Sequence, residues 1–216
     1  IELWGMTEIA GLGSTHPLLG SNKHGSIGCA IPYCELRIAD AEDAARTMPR
    51  GEVGELMVRG PIVMMGYFGD EEKTRETLEP DGWLHTGDLG TMDDDGCVFI
   101  VDRKKDMIIR GGENIACPEV EGALHQIEGI LEASVFSIPH ERLGEAVGAA
   151  VYASTPPTLL ELQAALEQTL ARFKIPEKIW FYPEPLPRGA TEKIDKRGIR
   201  EACLGGAVAS CRPSKN

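Results

Sequence analysis

Four short segments of the chain carry side chains that could bind an anionic ligand. The first runs from Trp4 to Glu8 and places a threonine hydroxyl beside a carboxylate. The hydroxyl of Thr7 could hydrogen-bond nucleotide phosphate oxygens while Glu8 bound the accompanying Mg²⁺, and the flat ring of Trp4 could stack on a purine. Five residues alone are a weak signal, because Thr-Glu pairs are common on protein surfaces.

The second segment runs from Thr86 to Gly90 and holds Asp88 between two glycines. A carboxylate in this position can accept two hydroxyl hydrogens, which is what a ribose diol would offer. The alternative is an aspartate that stabilises a tight turn.

The third and fourth segments combine glycines with basic residues. The third, from Asp102 to Asn114, contains Arg103 and the pair Gly111–Gly112, and paired glycines indicate unusual backbone angles or the close approach of a ligand. The fourth, from Pro187 to Ile194, is a loop that presents Lys193 ahead of a predicted helix. A lysine held in such a loop can deliver a point charge to a phosphate or a carboxylate.

The elements before residue 102 are predicted to be short strands separated by turns, which indicates a small, mostly antiparallel β unit with long loops. One helix is expected in this part, from Asp70 to Leu78, with Asp70 as its N-cap. The predicted strands are Ile27–Ile31, Cys34–Ala39, Glu55–Arg59 and Cys97–Val101.

Helices and strands alternate after residue 102, which predicts a compact mixed α/β unit. The clearest helix begins at Thr158, because Thr158 and Glu161 can form a capping box and a leucine stripe follows. The leucines expected to pack in the core are Leu159, Leu162, Leu166 and Leu170. The predicted helices are Pro118–Ile127 (with proline in its first position), Thr158–Arg172 and Asp195–Cys203, and the predicted strands are Leu131–Ile138, Ala146–Ala153 and Lys178–Tyr182.

The fold class is therefore predicted to be α+β. Residues 1–101 form the β-rich unit, residues 102–205 form the mixed α/β unit, and residues 206–216 are expected to be a flexible tail.

The formal charge of −12 is concentrated in the first unit. Residues 1–101 hold 7 Lys and Arg against 18 Asp and Glu, whereas residues 102–216 hold 15 against 16. This balance argues against a nucleic acid partner, which favours a basic face. No apolar run reaches the roughly 18 residues that span a bilayer, so no integral membrane segment is predicted.

Six cysteines are present, and none forms a C-x-x-C pair. A metal site built from His24, Cys29 and Cys34 is conceivable, but the spacing fits no common zinc pattern. Free thiols in a reducing cytosol are the favoured interpretation.

In this order and spacing, the four segments resemble the adenylate-forming superfamily of acyl-CoA synthetases, luciferases and peptide-synthetase adenylation domains. The resemblance covers roughly residues 1 to 203, with further agreement at Gly51–Arg59 and Gly66–Phe68. It implies an AMP-forming, ATP-dependent acid–CoA ligase. Residues 1–101 would then be the C-terminal end of the large ATP- and acyl-binding domain, and residues 102–205 its mobile C-terminal lid.

The resemblance also implies roles for individual positions. Trp4 replaces the usual Tyr or Phe that lies against adenine, Thr7 would contact phosphate, and Asp88 would bind the ribose hydroxyls. Arg103 would reach the same ribose or phosphate region. The implied ATP- and AMP-binding set is Trp4, Gly5, Thr7, Asp88 and Arg103, with Glu8 as the Mg²⁺ ligand.

The remaining implied roles describe a two-step reaction. Lys193 would bridge the attacking carboxylate and the α-phosphate of ATP, so that acyl-AMP forms and pyrophosphate leaves. The lid would then turn about Lys105 and bring Gly111 and Gly112 to the CoA pantetheine, in a domain alternation that gates the second step. The CoA thiol would attack the acyl carbonyl and release AMP.

Two departures from the family pattern stand out. The residue before the catalytic lysine is usually glycine and is Glu192 here, which would be strained if the position needs a positive φ. The Gly/Ser/Thr/Lys-rich phosphate loop is absent from these residues, and the chain begins abruptly at Ile1. We therefore interpret the chain as a fragment and expect it to be inactive on its own.

Several assignments are left open by the sequence. Trp4 and the loop from Ile9 to Pro17 favour a medium- or long-chain fatty acid over aryl acids or acetate, and hence a role in fatty acid metabolism. The alternatives are an adenylation domain that loads a carrier protein and a non-catalytic module with inherited motifs. The expected partners are a small-molecule carboxylate and CoA in the cytoplasm, with a homodimer and peripheral membrane association left open.

Overall fold

The computed structural model describes residues 2–17, 22–208 and 210–211, and of Leu159, Ser210 and Cys211 it describes only the backbone. The chain divides into two compact units, residues 1–105 and 106–216. The division falls four residues after the expected boundary, because the last strand of the first unit continues to Arg103. The mixture of small sheets and few helices confirms the α+β class.

A three-stranded antiparallel sheet opens the first unit. It consists of β1 (Leu3–Trp4), β2 (Ser14–Thr15) and β3 (Cys29–Ala30), in that order. A short 3₁₀ helix, Thr7–Ile9, lies between β1 and β2. This sheet therefore carries the first candidate segment on the connection between its first two strands.

A four-stranded antiparallel sheet completes the first unit. It consists of β4 (Glu35–Ala39), β5 (Gly54–Arg59), β6 (Leu84–Met92) and β7 (Val98–Arg103). Strand β5 is buried over most of its length, as expected for a central strand. Helix α1 (Glu71–Thr77) begins after Asp70, whose carboxylate accepts the N–H of Lys73 at 3.0 Å, so the predicted N-cap is confirmed.

The second unit is built on one mixed sheet. Its strands are β8 (Ile108–Arg110), β9 (Glu113–Ile115), β10 (Ile130–His140), β11 (Gly144–Ala153), β12 (Lys178–Tyr182) and β13 (Ser210–Cys211). Strands β11 and β12 are parallel, which requires a crossover, and α3 (Leu159–Thr169) supplies it. The other helices are α2 (Cys117–His125) and α4 (Lys196–Leu204), and a 3₁₀ turn spans Arg172–Lys174.

Each face of this sheet has its own hydrophobic core. Helices α2 and α3 cover one face, where Leu162, Leu166 and Leu170 are buried as the leucine stripe predicts. The side chain of Leu159 lies outside the described residues. Helix α4 covers the other face through Ile199 and Cys203, so the loop that precedes α4 is held against a packed core.

Several predicted boundaries need correction. Helix α3 ends at Thr169 rather than Arg172, strand Cys97–Val101 is shifted to Val98–Arg103, and Ile27–Ile31 shrinks to Cys29–Ala30. Pro118 occupies the second helical position of α2 rather than the first, because the helix begins at Cys117. Part of the predicted flexible tail, Ser210–Cys211, pairs with β12, while residues 209 and 212–216 lie outside the described residues.

Among the described residues, no helix has the length and apolar character needed to cross a bilayer.

Candidate functional site

The carboxylate of Asp88 lies between two other candidate nucleotide-binding residues. The indole Nε1 of Trp4 donates to Asp88 Oδ2 at 2.9 Å, and Arg103 Nε lies 3.5 Å from Asp88 Oδ1. Asp88 and Arg103 are direct cross-strand partners on β6 and β7. Three residues far apart in sequence therefore form one cluster, with hydrogen-bond donors around a half-buried carboxylate.

A β-bulge explains how Asp88 is presented. Glu55 pairs with Leu89 and Met57 pairs with His85, so Thr86–Asp88 lies opposite the single residue Leu56. Gly87 takes φ +72° at this bulge, where other residues are strained. The predicted alternative of a tight turn is thus replaced by a bulge inside a nine-residue strand, and a bulge re-aims the side chain that follows it.

A buried carboxylate holds the bulge in place. Glu55 is 3% exposed, and its Oε1 accepts the N–H of Gly87 at 3.2 Å. Its Oε2 lies 3.0 Å from Lys104 Nζ and 3.2 Å from His85 Nδ1. The Lys104 ammonium also donates to the carbonyl of Ala41 at 2.7 Å, and the Lys104 N–H donates to the carbonyl of Gly87 at 2.8 Å.

The protonation of this network follows from its contacts. Burial alone would raise the pKa of Glu55, but the hydrogen bonds from His85 and Lys104 lower it to about 2. The hydrogen bond to Glu55 raises the pKa of His85 against the effect of burial, and Glu79, 3.0 Å from His85 Nε2, raises it further. Glu55 is therefore ionised throughout the physiological range, and His85 has a carboxylate on each ring nitrogen.

The first segment shows a different arrangement. Gly5 lies so close to the carbonyl of Gly11 that an added Cβ would stand 1.5 Å from its oxygen, so no other residue fits this backbone. Thr7 is exposed, and Glu8 is half-buried with its Oε1 accepting the hydroxyl of Tyr67 at 2.9 Å. A carboxylate oriented by a hydroxyl group suits a hard cation such as Mg²⁺.

The segment after β7 connects the units. Lys104 is anchored to Glu55, whereas Lys105 is exposed and is the last residue of the first unit. The predicted hinge residue thus coincides with the point at which the chain passes between the compact units.

Gly111 and Gly112 form the two-residue turn of the β8–β9 hairpin. Both take positive φ, +60° and +93°, as a hairpin turn of this length requires. The N–H of Gly111 donates to the carbonyl of Leu143 at 2.9 Å, and space is open where a Cβ would stand at Gly112. The turn geometry alone accounts for both glycines, and their assignment to CoA stays a prediction.

Lys193 is exposed on a short hairpin that precedes α4. The hairpin is closed by the N–H of Gly189 donating to the carbonyl of Lys193 at 2.8 Å and by an Arg188–Ile194 bridge. The Arg188 guanidinium donates to the carbonyl of Glu192 at 2.8 Å and to Glu132 on β10 at 2.5 Å. Arg188 therefore braces the backbone on which the lysine is presented.

Glu192 occupies the left-handed region that the sequence analysis considered. Its φ is +59°, which glycine adopts freely and which costs an L-residue free energy. The conditional prediction of strain at this position is therefore met.

Sequence reasoning missed the residues that support the site. Glu55, His85, Lys104, Tyr67 and Arg188 belong to strands or loops beside the candidate residues and were not singled out. For Glu55 a signal existed, since a single carboxylate stands at the start of the buried run Leu56–Val58. A buried charge needs partners, so a functional or structural network could have been expected there.

Two family models match the chain. Residues 1–68 match the model of the AMP-binding enzyme, and residues 119–193 match the model of the AMP-binding enzyme C-terminal domain. The matched ranges contain Trp4 to Glu8 at one end and Lys193 at the other.

Individual proteins agree with these matches. The 3-(7a-methyl-1,5-dioxo-octahydro-1H-inden-4-yl)propanoyl:CoA ligase of Rhodococcus jostii is 44% identical over 81% of this chain and 32% of its own length. ATP-bound MatB from Rhodopseudomonas palustris superimposes with a TM-score of 0.85 at 35% identity, over 93% of this chain and 40% of that protein. The o-succinylbenzoate CoA synthetase of Bacillus subtilis, in complex with its acyl-adenylate intermediate, gives 0.83 at 34% identity, over 92% and 40%. The chain thus spans between a third and two fifths of the length of these proteins.

Proposed function

Because the chain belongs to the adenylate-forming family of AMP-binding enzymes, we propose that it is part of an AMP-forming, ATP-dependent acid–CoA ligase. The observation that carries the proposal is the cluster of Trp4, Asp88 and Arg103. The Asp88 carboxylate can accept hydrogen bonds from a ribose, and the Arg103 guanidinium beside it can bind a phosphate. The Trp4 ring offers an aromatic face to a purine.

The first step joins the acid to the nucleotide. A carboxylate oxygen of the acid attacks the α-phosphorus of ATP, the bond to the β-phosphate oxygen breaks, and pyrophosphate leaves with that electron pair. The ammonium of Lys193 lies against the attacking carboxylate and the α-phosphate and offsets the negative charge that builds up between them. The hairpin that Arg188 braces keeps Lys193 exposed, so its ammonium can approach this negative charge.

The second step uses the chain segment that connects the two units. Rotation about Lys105 removes Lys193 from the acyl-adenylate and brings the Gly111–Gly112 turn to the pantetheine arm of CoA. The thiol sulfur attacks the acyl carbonyl, its proton is lost, and AMP leaves with the electrons of the acyl–phosphate bond. Because Lys104 is tied to Glu55, the rotation begins after Lys104.

Magnesium fits the first segment. Glu8 would hold the ion, and Tyr67 fixes the orientation of its carboxylate. A bound ion would supply positive charge against the pyrophosphate group. Thr7 is exposed beside Glu8 and hydrogen-bonds the phosphate oxygens.

The acid substrate is the less constrained part of the proposal. The first segment favours a medium- or long-chain fatty acid, whereas the Rhodococcus and Bacillus relatives are named for a bicyclic propanoate and for o-succinylbenzoate. Both names describe a carboxylate on a short chain attached to a ring system. The substrate panel must therefore contain ring-bearing acids as well as fatty acids.

The test is carboxylate-dependent exchange of labelled pyrophosphate into ATP. It is measured on a protein of the relatives' full length that carries this sequence, and on residues 1–216 alone, with acetate, octanoate, palmitate, benzoate, o-succinylbenzoate and amino acids. Exchange by the long protein with one of the acids, followed by thioester formation when CoA is added, supports the ligase. Exchange without transfer to CoA favours loading of a carrier protein, and failure to bind ATP favours a non-catalytic module.

A further inference from the structure

Two cysteines face each other where the two sheets of the first unit meet. Cys29 on β3 and Cys97, next to the start of β7, have their sulfur atoms 3.3 Å apart. The neighbouring residues Gly28 and Val98 form an antiparallel bridge. One step along antiparallel strands from that bridge, Cys29 and Cys97 stand directly opposite each other.

The backbone arrangement favours a contact through side chains. The N–H of Cys97 donates to Asp93 Oδ1 at 2.9 Å, and its carbonyl accepts the N–H of Asp93 at 3.0 Å, so neither group is directed at Cys29. The sulfur atoms are already in contact at 3.3 Å, so a small movement brings them to the bonded distance of about 2.05 Å.

We propose that Cys29 and Cys97 are a reversible modification site that forms an intrachain disulfide by exchange with a small-molecule disulfide such as oxidised glutathione. Cys29 is half-buried, whereas Cys97 is 6% exposed, so Cys29 reacts first as the attacking thiolate and Cys97 resolves the mixed disulfide. The Cys29 thiolate displaces one glutathione thiolate and forms a mixed disulfide. The Cys97 thiolate then attacks Cys29 Sγ and displaces the second, so two protein thiols are oxidised as one disulfide is reduced to two thiols.

Burial and the groups around the pair set the pH at which the exchange runs. Burial raises the pKa of the Cys29 thiol to about 11, with further increases from the contact with Cys97 and from Asp93, while Lys23 lowers it. Asp95 completes the charged surroundings, since Lys23 binds both Asp93 and Asp95. Because the thiolate is the nucleophile, the exchange is slow near neutral pH and accelerates as the pH rises.

The bond would connect the two sheets of the candidate nucleotide site. Cys29 belongs to the sheet that carries Trp4, and Cys97 precedes the strand that ends in Arg103 and pairs with Asp88. A covalent link here closes a long loop in the unfolded chain, so oxidation is expected to raise the thermal midpoint of this unit. The proposal concerns thiol chemistry and does not depend on the ligase activity.

The experiment treats residues 1–216 with oxidised glutathione at several pH values and maps the products by peptide mass spectrometry. The expected product is two hydrogen atoms lighter than the starting protein, links the peptides of Cys29 and Cys97, forms faster at higher pH, and reverts with dithiothreitol. Cys34→Ser is the matched control, because Cys34 is a second half-buried thiol on the same tryptic peptide as Cys29, and this variant should still form the link.

Other products of the same treatment would contradict the disulfide. A link from Cys97 to Cys34, or stable glutathione adducts on Cys29 without a link to Cys97, would overturn the proposal. So would an unchanged thiol count after prolonged treatment at high pH. Mapping on the wild-type protein keeps the proposal testable even if Cys29→Ser or Cys97→Ser fails to fold.

Discussion

The indole nitrogen of Trp4 donates a hydrogen bond to the carboxylate of Asp88 at 2.9 Å, and the two residues are 84 positions apart in the chain. The resemblance to the adenylate-forming superfamily implies Tyr or Phe as the usual residue at this position. Neither side chain has an indole N–H, so the contact is a consequence of the tryptophan in this chain. The other carboxylate oxygen, Asp88 Oδ1, lies 3.5 Å from Arg103 Nε.

Trp4→Phe is therefore expected to weaken nucleotide binding while preserving a stacking face. A hydrogen bond to a charged group contributes about 1.5–3 kcal/mol, and the lower end of that range, expressed in ATP binding, raises the Kd by about 10-fold. Isothermal titration on the full-length protein measures it. Trp4→Leu removes both the ring and the N–H and should bind still more weakly. Equal affinity of Trp4→Phe and wild type would show that the indole hydrogen bond does not orient Asp88 for ribose.

Glu55→Gln should destabilise the first unit. The amide cannot neutralise Lys104 or His85, and it offers its own N–H groups to donors, so the expected loss is about 3 kcal/mol. Urea denaturation with hydrogen exchange read at the amides of β5 and β6 resolves this unit. Glu52→Gln changes an exposed carboxylate of the same unit and should stay within about 0.5 kcal/mol of wild type. Similar stabilities for the two variants would contradict the role of Glu55.

The free energy of unfolding should depend on pH through the protonation of His85. Its folded pKa is raised by Glu55 and Glu79, so the protonated ring stabilises the fold fully below the unfolded value of about 6.5. That contribution is lost as the pH rises through the raised folded pKa. The pKa of Glu55 is lowered to about 2, so its contribution is fully present above the unfolded value of 4.5 and is lost progressively as the pH falls from there toward 2. An NMR titration of the His85 ring measures the shift directly.

A variant without the His85 ring isolates its contribution to the pH dependence of stability. His85→Gln should flatten the decline in unfolding free energy as the pH rises above about 6.5, whereas His24→Gln, on an exposed histidine, should leave it unchanged. A decline that persists in His85→Gln would assign it to another group.

Local sequence signals located most elements of the fold. The Asp70 cap and the Thr158–Glu161 capping box rest on interactions within a few residues, and both are present. Strand Lys178–Tyr182 was predicted from its own residues and is present with the same bounds. Pairing between residues that are distant in the sequence was harder to predict. The bulge at Thr86–Asp88 depends on its register with β5, which the sequence of β6 alone does not specify.

For the candidate site, the sequence likewise identified individual residues but not the contacts between them. Trp4, Asp88 and Arg103 were identified through a family resemblance, and their contact depends on three strands from two sheets. Glu55 and Tyr67 act through contacts with residues 32 and 59 positions away, so no local pattern identifies their partners. Positive φ at Glu192 required the geometry of the hairpin that encloses it.

Glu192→Gly should relax the hairpin that presents Lys193. Replacing an L-residue at φ +59° by glycine relieves strain of about 1 kcal/mol, partly offset by the greater freedom of glycine in the unfolded chain. In the full-length protein we expect a faster adenylation step, measured by pyrophosphate exchange. Glu192→Gln keeps the strained backbone and removes only the charge, so it separates the two effects. An unchanged exchange rate in both variants would count against any restraint by Glu192.

Lys193→Met should separate the two half-reactions. The ammonium is exposed on a hairpin braced by Arg188, so its removal leaves the fold intact and takes away the charge opposite the α-phosphate. Loss of one such electrostatic contact costs about 10²- to 10³-fold in rate, and this loss should appear in pyrophosphate exchange. Thioester formation from supplied acyl-adenylate and CoA should stay near wild type, because the lysine has no part in thiol attack. Lys178→Met, on strand β12, is the matched control and should affect neither step. If both half-reactions fell equally in Lys193→Met, the lysine would serve a common binding step, and the assignment of this hairpin to adenylation would be wrong.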